Sequence, residues 1–576
     1  MSSEPVAEDR LAALRSVSVF SGLSADLLAR LAGKAVAHRA LAGDWLFRQG
    51  DEADRLFVVV SGRLDIELEV PEPGRHIGTL AAGASVGELG VLTRSPRTAS
   101  VRAVRDSELL GVDRHAIEAL IGEEPSFAAA MVGALASHLQ ANVAPVVGRP
   151  PIAVLTVLTP PEARWTDRVT DALLDALRST GKVAAVSAPA GGDPSAYGRL
   201  LDQRERQHDL VVLAATVADP ADDWTRFCLR QADRVLVIAD RATPRPLLDA
   251  NIDLHVAGCG PGRRPAAEVA RWLDQAPVAT HHHVDLGPSF TGDVARLARR
   301  LVGRSLGVVL SGGGARGFAH IGVLDVLVGA GFEIDRLGGC SMGSLMAALF
   351  AAGVPPVEMV ERCRRELVER NPFNDYTVPR ASLLRAQRAQ RMLERILGPV
   401  HLEEMPRSCF TVSCDLVDAE CVVHRRGPAW EAAGISMCIP GLVPPVVRGN
   451  RILVDGGLLD NMPVDVMAAE AGPIVAVDVV AGGWRPRTTG RFFPRRAGRA
   501  PAGVPLLWET LARTSVVGSR RMNQENRLRA DLVISPEVGD VGLLAFDQLD
   551  DVVEAGRVAA REAIGALGQV LGRPPA

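Results

Sequence analysis

The stretch from residue 305 to residue 353 constrains the fold of this chain more than any other. It reads as a strand, a glycine-rich loop, a helix from Phe318, a second strand, a sharp turn and a second helix. At the sharp turn, Gly339-Cys340-Ser341-Met342-Gly343 fits the nucleophile-elbow pattern, in which flanking glycines let a strained strand-to-helix turn expose a serine hydroxyl. Ser341 is therefore predicted to be a nucleophile at the N-terminus of a helix.

The glycine-rich loop carries a second piece of catalytic machinery. Such a loop bares a run of backbone N–H groups that can stabilise a developing oxyanion. The same letters form a GxGxxG pattern, with Glu333 and Asp335 about where a dinucleotide-binding unit keeps its ribose acid, so that alternative stays open. The role of Arg316 also stays open, because it can orient the loop or meet a phosphate. The predicted oxyanion residues are Gly312, Gly313, Gly314, Ala315, Arg316 and Gly317.

A carboxylate downstream is the candidate base. Asp455 follows an apolar run and precedes two glycines, which suits a strand end that faces open space; an aspartate in an ordinary turn is the alternative. If Ser341 is a nucleophile, an α/β-hydrolase triad in the order Ser, Asp, His needs a histidine after the acid, and no histidine follows His424. Ser341 and Asp455 are therefore predicted to form a dyad, and neither a metal nor a catalytic cofactor is expected.

Three motifs in this order, GGGARG, GCSMG and DGG, resemble a patatin-like phospholipase domain. Residues 371–376, 436–441 and 455–463 resemble the neuropathy-target-esterase branch of that family. The resemblance implies an α/β patatin-like hydrolase domain over 304–575, which hydrolyses acyl esters of lysophospholipids or phospholipids. Members of this branch also carry cyclic-nucleotide-binding domains upstream, so the resemblance covers nearly the whole chain. A nucleotide-sensing protein with little or no hydrolase activity is the alternative.

Residues 16–143 are predicted to form a β-roll, because short β-type runs alternate with glycine turns. In residues 87–101 a short helix near Glu88 offers N–H groups to a phosphate, and Arg97 offers a guanidinium fork. This stretch resembles the phosphate-binding cassette of cyclic-nucleotide-binding domains, which implies cAMP or cGMP as an allosteric ligand. An ion pair between Glu88 and Arg97 is the alternative. The implied binding residues are Gly87, Glu88, Leu89, Arg97 and Thr98.

Residues 150–303 are predicted to form a doubly wound α/β middle domain. Strand-like runs alternate with helical ones, as parallel α/β layers require. His281, His282 and His283 are predicted to be structural, because adjacent residues alternate faces on a strand and cannot converge on one metal ion. The predicted strands cover 152–157, 183–186, 210–215 and 235–238, and the predicted helices cover 167–179 and 224–231.

Composition bounds the function and the location. A chain of 576 residues suggests roughly three or four domains, and a net charge of -4 argues against a nucleic-acid partner. The 8 cysteines include no CxxC pair and the start lacks the pattern of a signal peptide, so a cytoplasmic protein is expected. The uncharged run 337–357 has membrane-spanning length, but its serine elbow and prolines favour a buried strand-turn-helix.

Residues 482–500 combine six arginines with the aromatic Trp484, Phe492 and Phe493 and contain no acid. Each arginine near an anionic bilayer contributes about 1 kcal/mol, and aromatic rings can enter the headgroup layer. The stretch is therefore either a solvated loop or a peripheral contact with the inner face of the membrane.

Overall fold

The chain is described by a computed structural model. It divides into two compact units, one of residues 1–168, 178–238 and 246–255, the other of residues 169–177, 239–245 and 256–576. This division falls inside the expected middle domain, so the boundaries of the three domains stay a prediction. Residues 482–500 lie outside the described part. The structure describes residues 24–69, 75–123, 152–160, 165–189, 197–216, 222–239, 253–262, 264–275, 278–378, 381–467, 471–481 and 517–572, with a few single residues before 24 and at 510.

The first sheet is a β-roll, as predicted. Its described strands are β1 Val36–Ala40, β2 Trp45–Phe47, β3 Arg55–Leu68, β4 Arg75–Ala81, β5 Ser85–Val86 and β6 Ser100–Asp113. The order is β1-β6-β3-β4, with β2 on β6 and β5 on β3, and the two long strands β3 and β6 pair antiparallel. Some of their apolar side chains pack on the helices in one cluster, and the others form a second cluster with β1 and β5. The helices are α1 Ala25–Lys34, α2 Glu88–Thr93 and α3 Arg114–Glu123.

The second sheet has the predicted doubly wound pattern. Its order is β12-β11-β10-β7-β9-β8, and β7 pairs parallel with both β9 and β10. Its last described helix before β10 begins one residue earlier than predicted, because the Asp222 carboxylate accepts from Thr225 N–H at 2.6 Å and caps it. The strands are β7 Val154–Thr159, β8 Val183–Val186, β9 Leu210–Thr216, β10 Arg234–Ala239, β11 Leu254–Gly260 and β12 Val278–Asp285. The helices are α4 Thr166–Arg178, α5 Tyr197–Glu205, α6 Asp223–Gln231, α7 Ala266–Gln275 and α8 Phe290–Leu301.

Within the first unit, buried ion pairs join the β-roll to the α/β layer. Arg63 bonds Asp233 at 2.8 Å, and Arg105 bonds Glu205 at 2.8 Å. The two arginine side chains are 10% and 5% exposed, and removing one partner of such a buried pair leaves an uncompensated charge. The roll is therefore held to the α/β layer by contacts that resist separation.

The third sheet positions the predicted catalytic residues. Its order is β17-β18-β15-β14-β13-β19-β20, with β16 also on β15, and β13, β14, β15, β19 and β20 run parallel. Because β13 and β14 are parallel neighbours, the loop after one and the elbow after the other meet at the same edge. We call this the carboxyl edge. The strands are β13 Leu306–Leu310, β14 Ile334–Cys340, β15 Ser408–Asp415, β16 Glu420–His424, β17 Val446–Arg448, β18 Arg451–Asp455, β19 Ile474–Val477 and β20 Leu532–Ile534.

Three helices of this unit are closely packed, the one that follows Ser341 and the pair Ala319–Gly329 and Leu549–Val570. The helix that follows Ser341 is buried along its whole length, so residues 337–351 of the run 337–357 are a buried strand-turn-helix, as predicted. A Cβ on Gly322 would lie 2.0 Å from Val553 O, which shows how closely α9 and α15 approach. No helix among the described residues is both long and apolar enough to cross a membrane. The helices are α9 Ala319–Gly329, α10 Met342–Ala351, α11 Pro356–Cys363, α12 Gln387–Leu397, α13 Ala429–Ser436, α14 Arg520–Arg529 and α15 Leu549–Val570.

Candidate active site

The turn at Ser341 has the strained geometry of a nucleophile elbow. Ser341 has φ 51° and ψ -123°, between the end of β14 and the start of α10. A Cβ on Gly339 would lie 2.6 Å from the Gly343 backbone, and one on Gly343 would lie 2.2 Å from Leu310 O. Glycine is therefore required on both sides of the serine. Strained backbone of this kind persists where the surroundings enforce it, often at functional sites.

The structure brings Ser341 and Asp455 into contact. Asp455 ends β18 and pairs with Ser413 of β15, the strand next to β14. The Ser341 side chain interacts with the Asp455 carboxyl group and lowers its pKa, and the two residues are 8% and 5% exposed. A hydroxyl group therefore has a carboxyl group as its immediate partner, as a nucleophile and its base require.

Burial changes the basicity of this carboxyl group. It raises the pKa of Asp455 to about 6, against the lowering effect of hydrogen bonds from Ser341, Gly457 N–H and Cys340. The Gly457 bond is 2.8 Å long, and the Cys340 thiol lies 3.5 Å from the same oxygen. An ordinary aspartate is a feeble base, and a higher pKa brings it closer to the pH at which proton transfer is efficient.

The glycine loop faces the same carboxyl edge, but only part of it has N–H groups to offer. Gly312 N–H donates to Asn461 O at 3.0 Å, and Ala315 N–H donates to Leu543 O at 2.8 Å. Among the described residues, the N–H groups of Gly313 and Gly314 donate to no acceptor. An oxyanion hole in this loop would therefore use Gly313 and Gly314, and the role of the whole loop from 312 to 317 stays a prediction.

Arg316 and Asn461 connect the glycine loop to neighbouring segments. Its side chain is 2% exposed and donates to Val541 O and Gly539 O, both at 2.8 Å. Asn461 closes the other side, since its Nδ2 donates to Gly312 O at 3.1 Å. Arg316 therefore ties the loop to residues 539–541, and a role in orienting the loop stays a prediction.

Two histidines of this unit, the buried His320 and the half-buried His424, make no contact with the dyad among the described residues. His320 Nε2 lies 2.8 Å from Ser311 O, and His424 Nε2 lies 2.7 Å from Ser413 Oγ. Burial lowers the pKa of each histidine to about 4, so both are neutral near pH 7. Among the described residues neither bonds to Ser341 or Asp455.

The structure argues against the dinucleotide-binding alternative, because Asp335 is not placed to bind a ribose. Asp335 lies at the start of β14, whereas the glycine loop follows the end of the parallel strand β13. Asp335 is also held by Arg299 through two bonds of 2.7 and 2.8 Å. A ribose acid must lie at the same edge as the glycine loop, so the spacing in sequence suggested a role that the strand direction rules out.

The predicted nucleotide cassette has the shape expected of it. Gly87, with φ 89°, precedes helix α2, and Arg97 stacks 4.0 Å over the Phe47 ring. Arg97 donates to Arg55 O at 2.8 Å and Gly87 O at 3.4 Å. A Cβ at residue 87 would lie 2.3 Å from the Arg97 guanidinium, so this approach requires glycine.

The alternative interpretation, an ion pair between Glu88 and Arg97, is not observed among the described residues. Among the described residues the ion-pair partner of Arg97 is Asp54, at 3.7 Å, and Glu88 accepts from Ser85 Oγ at 2.5 Å. The Arg97 side chain is 3% exposed and its Nε has no acceptor, so the residue fits an anionic partner. Leu89 is half-buried and Thr98 is exposed.

Comparison with known proteins places the whole chain. A model of patatin-like phospholipase matches residues 308–468, and a model of the cyclic nucleotide-binding domain matches residues 37–124. An uncharacterized NTE family protein of Mycobacterium tuberculosis (strain CDC 1551 / Oshkosh) is 33% identical over 581 residues, which cover 97% of this chain and 97% of the relative. The chain belongs to the NTE family.

Other relatives agree with this assignment. A Mycobacterium bovis protein of the same description is 33% identical over 581 residues. Lysophospholipase NTE1 of Cryptococcus neoformans var. neoformans serotype D (strain JEC21 / ATCC MYA-565) is 27% identical over 528 residues, which cover 76% of this chain and 32% of that longer protein. The predicted resemblance, fold class and class of enzyme, an ester hydrolase of patatin-like phospholipase type, are confirmed.

Three residues of this NTE family protein contact the candidate site without having been assigned a role from the sequence. Cys340 contacts Asp455, Ser436 Oγ accepts from Ser341 N–H at 2.9 Å, and Asn461 bonds both polar atoms of the Gly312 backbone. All three lie inside motifs that carried the resemblance. Position within a motif was the available signal, but it does not reveal which atom each residue holds.

Replacing Gly314 with alanine is expected to reduce turnover by about 10²-fold, the effect of losing one oxyanion donor. The new Cβ would lie 2.3 Å from Leu543 O, so the loop must shift, and φ 57° disfavours alanine as well. Steady-state kcat and the rate of labelling by a fluorophosphonate measure the effect. Gly331→Ala is the matched control, because φ is 76° there but no atom lies within 4 Å of the new Cβ. Equal losses in both variants would contradict the role of the loop.

Proposed function

We propose that this NTE family protein is a serine lysophospholipase that hydrolyses acyl esters of lysophospholipids or phospholipids with a Ser341–Asp455 dyad. The observation that carries the proposal is the interaction of the Ser341 side chain with a buried Asp455 whose pKa is raised to about 6, on the edge where the N–H groups of Gly313 and Gly314 have no acceptor among the described residues. The names of the fungal relatives support the lipid substrate.

The first half-reaction acylates Ser341. Asp455 takes the hydroxyl proton as Ser341 Oγ forms a bond to the ester carbonyl carbon, and the carbonyl oxygen becomes an oxyanion in the cradle of Gly313 and Gly314. The tetrahedral intermediate collapses when the C–O bond to the leaving alcohol breaks. Asp455 returns its proton to that alcohol, which leaves an acyl-enzyme and an ionised carboxylate.

The second half-reaction releases the fatty acid. Asp455 takes a proton from water as the water oxygen attacks the acyl carbon, and the same N–H groups hold the second oxyanion. When the bond to Ser341 Oγ breaks, Asp455 returns the proton to the serine. An alkoxide leaving group needs little proton donation compared with an amine, so a dyad without imidazole suits esters better than amides.

Turnover of lysophosphatidylcholine by the full chain is expected to rise with pH through about pH 6 and then level off. Only ionised Asp455 can accept the serine proton, and burial raises its pKa to about 6. A kcat profile from pH 4.5 to 9 measures the limb. If a fluorophosphonate labels Ser341 with the same dependence on pH, the result supports the assignment of the dyad. If the protein hydrolyses no acyl ester at all, the proposed function is wrong.

Asp460 needs a control in that experiment, because burial and its neighbour Asp465 raise the pKa of Asp460 to about 7. Asp460→Asn keeps an oxygen that can accept from Met462 N–H, a bond of 3.1 Å. This variant should retain the limb near pH 6. If the limb disappears in Asp460→Asn, the group that titrates is Asp460, and its assignment to Asp455 is wrong.

We further propose that a cyclic nucleotide, cAMP or cGMP, binds at Arg97 and changes the hydrolase activity. Arg97→Ala is expected to weaken nucleotide binding at least tenfold, since hydrogen bonds to a charged group contribute about 1.5–3 kcal/mol each. Arg94→Ala is the control, because Arg94 lies in the same turn but is exposed and pairs with Glu118. Calorimetry measures binding, and lysophospholipid turnover measures regulation. If wild type hydrolyses lysophospholipid at the same rate with and without either nucleotide, the nucleotide does not regulate the hydrolase. The β-roll would then have only a packing role.

Peripheral membrane contact through residues 482–500 is also a proposal, supported by the arginines and aromatic residues of that stretch. Co-sedimentation with vesicles that contain anionic lipid, for the full chain and for a chain lacking 482–500, measures it. Equal binding by the two chains would remove the proposal.

A further inference from the structure

The segment described by residues 373–378 and 381–391 begins beside the glycine loop. Phe373 is half-buried, and its ring stacks on the Phe546 ring with 5.3 Å between the centroids. Phe546 meets the Phe318 ring edge-on at 5.9 Å, and Phe318 directly follows the last residue of the glycine loop. Stacked and edge-on ring pairs are attractive geometries. The start of the segment is therefore held against the residue that follows the loop.

Further along, the same segment is bonded to the stretch that holds the candidate base. The N–H groups of residues 383 and 384 donate to the carbonyl oxygens of residues 441 and 442, at 2.9 and 3.0 Å. Three residues before 441, Cys438 O accepts from Asp455 N–H at 2.9 Å. The segment therefore contacts neighbours of both the glycine loop and Asp455, which places it at the rim of the candidate site.

Two apolar side chains between these two attachments face solvent. Tyr376 is 71% exposed and Val378 is 78% exposed, and among the large apolar side chains of the described residues only Leu528 is more exposed than Val378. The backbone between them is held, because Thr377 N–H donates to Leu383 O at 3.0 Å. A single exposed apolar residue is normal, but neighbouring ones at the rim of a site indicate an interaction surface.

The same segment carries excess positive charge. Residues 374–391 contain four arginines and one acid, Asp375. Arg385, Arg388 and Arg391 are exposed, and none of the three has an ion-pair partner among the described residues. Asp375 accepts from the backbone N–H of Arg388 at 3.2 Å, so it does not pair with the guanidinium group. These arginines are free to meet an anionic partner, and each offers a fork that binds phosphate oxygens.

We propose that Tyr376, Val378, Arg385, Arg388 and Arg391 form a docking surface for an anionic lipid–water interface, which we call the rim surface. The arginines meet lipid phosphates, and the tyrosine ring and the valine enter the headgroup layer, where aromatic rings with one polar end are favoured. This inference rests on the proposed function, because a phospholipid substrate is presented by such an interface. Docking at the rim brings the interface next to the residues that surround the dyad.

The character of the rim surface favours lipid over a protein partner. Its cations are long side chains spread over a loop and the first turns of α12, without a groove that would select one carboxylate. Many phosphate groups in a plane satisfy such a spread set of charges at about 1 kcal/mol for each arginine near the surface. The two apolar side chains add contacts that a polar anionic protein surface would leave in water.

Vesicle co-sedimentation of the full chain with Ser341→Ala tests the rim surface without hydrolysis. The vesicles contain either phosphatidylcholine with phosphatidylglycerol or phosphatidylcholine alone, and we expect tighter binding to the anionic mixture. Replacing Arg385, Arg388 and Arg391 together with glutamine should weaken that binding by about tenfold or more. Tyr376→Ser with Val378→Ser should weaken binding to the anionic mixture by about tenfold, through the lost apolar contact.

Two substitutions elsewhere in the same unit are the matched controls. Arg271→Gln removes an exposed arginine from α7, whose Ala266 N–H donates to Glu404 before the start of β15, away from the carboxyl edge. Val357→Ser removes a side chain that is 65% exposed. Val357 follows the far end of α10, about 15 Å from Ser341 at 1.5 Å per residue. Both controls should bind vesicles as the parent does, and thermal unfolding checks that every variant is folded.

Activity separates the rim surface from the proposed function. With Ser341 restored, the rim variants should raise the apparent KM for lysophosphatidylcholine carried in the anionic vesicles, and kcat/KM for water-soluble p-nitrophenyl butyrate should stay close to that of wild type. If wild type hydrolyses neither ester but the rim variants still lose vesicle binding, the proposed function is wrong and the docking surface stands.

Four results would overturn the docking surface. They are the absence of vesicle binding by the parent chain, equal losses in the rim variants and the controls, loss of binding only when residues 482–500 are removed, and a change in the rim variants from dimer to monomer in analytical sedimentation without a change in vesicle binding. The last result would assign the rim surface to a contact between two copies of the chain.

Discussion

Ester turnover is expected to fall by about 10⁴-fold or more when Ser341 is replaced by alanine. The hydroxyl group is the atom that attacks the substrate, and no neighbouring side chain can replace it at the elbow. The fold should persist, because Ser341 N–H still donates to Ser436 Oγ and Ser344 Oγ still donates to Ser341 O at 2.6 Å. Turnover of lysophosphatidylcholine and labelling by a fluorophosphonate measure the loss, and circular dichroism checks the fold.

Ser413→Ala is the matched control for this experiment. Ser413 is a serine bonded to a histidine, with Oγ 2.7 Å from His424 Nε2, so it is the pair that a search for a serine and an imidazole would select. It is 0% exposed and lies inside β15, where no substrate reaches it. This variant should lose less than about tenfold in kcat. Retained activity in Ser341→Ala together with loss in Ser413→Ala would transfer the nucleophile to Ser413.

The geometry of the elbow could be predicted from sequence because its determinants are local, whereas the dyad of Ser341 and Asp455 stays a proposal. Glycine on both sides of Ser341 reflects a Cβ that would lie 2.6 Å or less from backbone atoms, and such close approaches leave glycine as the only residue that fits. No histidine follows Asp455 in the sequence, so the order of residues in a Ser-Asp-His triad cannot be met, and a carboxylate was predicted as the base. The pattern of strands and helices in the middle layer was readable for the same reason, since hydrophobic runs and turns repeat locally.

The availability of loop N–H groups could not be predicted, because it depends on distant residues. The Leu543 carbonyl oxygen accepts from Ala315 N–H, and the Asn461 carbonyl oxygen accepts from Gly312 N–H. The distance of these two residues from the loop along the sequence does not indicate either contact. The dinucleotide alternative failed for a related reason. Asp335 stands at a suitable distance along the chain, but the parallel direction of β13 and β14 places it at the opposite edge. Spacing along the sequence indicates how far apart two residues can lie, but it does not indicate at which edge of the sheet each one lies.

Replacing Asp455 with asparagine is expected to abolish turnover and to stabilise the protein. Asparagine cannot accept the serine proton, so kcat should fall by about 10⁴-fold or more. Burial raises the pKa of this carboxyl group from 3.8 to about 6, which means that its ionised form is held at a cost in the folded state. Two pKa units correspond to roughly 3 kcal/mol at about 1.4 kcal/mol per unit. The neutral amide removes that cost, which is an upper bound on the gain.

The dependence of this stabilisation on pH identifies its cause. Below about pH 4 the carboxyl group is protonated in both folded and unfolded chains, so wild type and Asp455→Asn should unfold at similar temperatures. As pH rises through the interval up to about 6, the unfolded chain releases its proton before the folded one does, and wild type loses stability that the variant keeps. The unfolding midpoint of the unit that contains residue 455, followed from pH 4 to 8, measures the difference. Ser341→Ala should not reproduce this trend, since it keeps the buried carboxylate. A difference between Asp455→Asn and wild type that is independent of pH would show that Asp455 is not the strained, proton-accepting group on which the dyad depends.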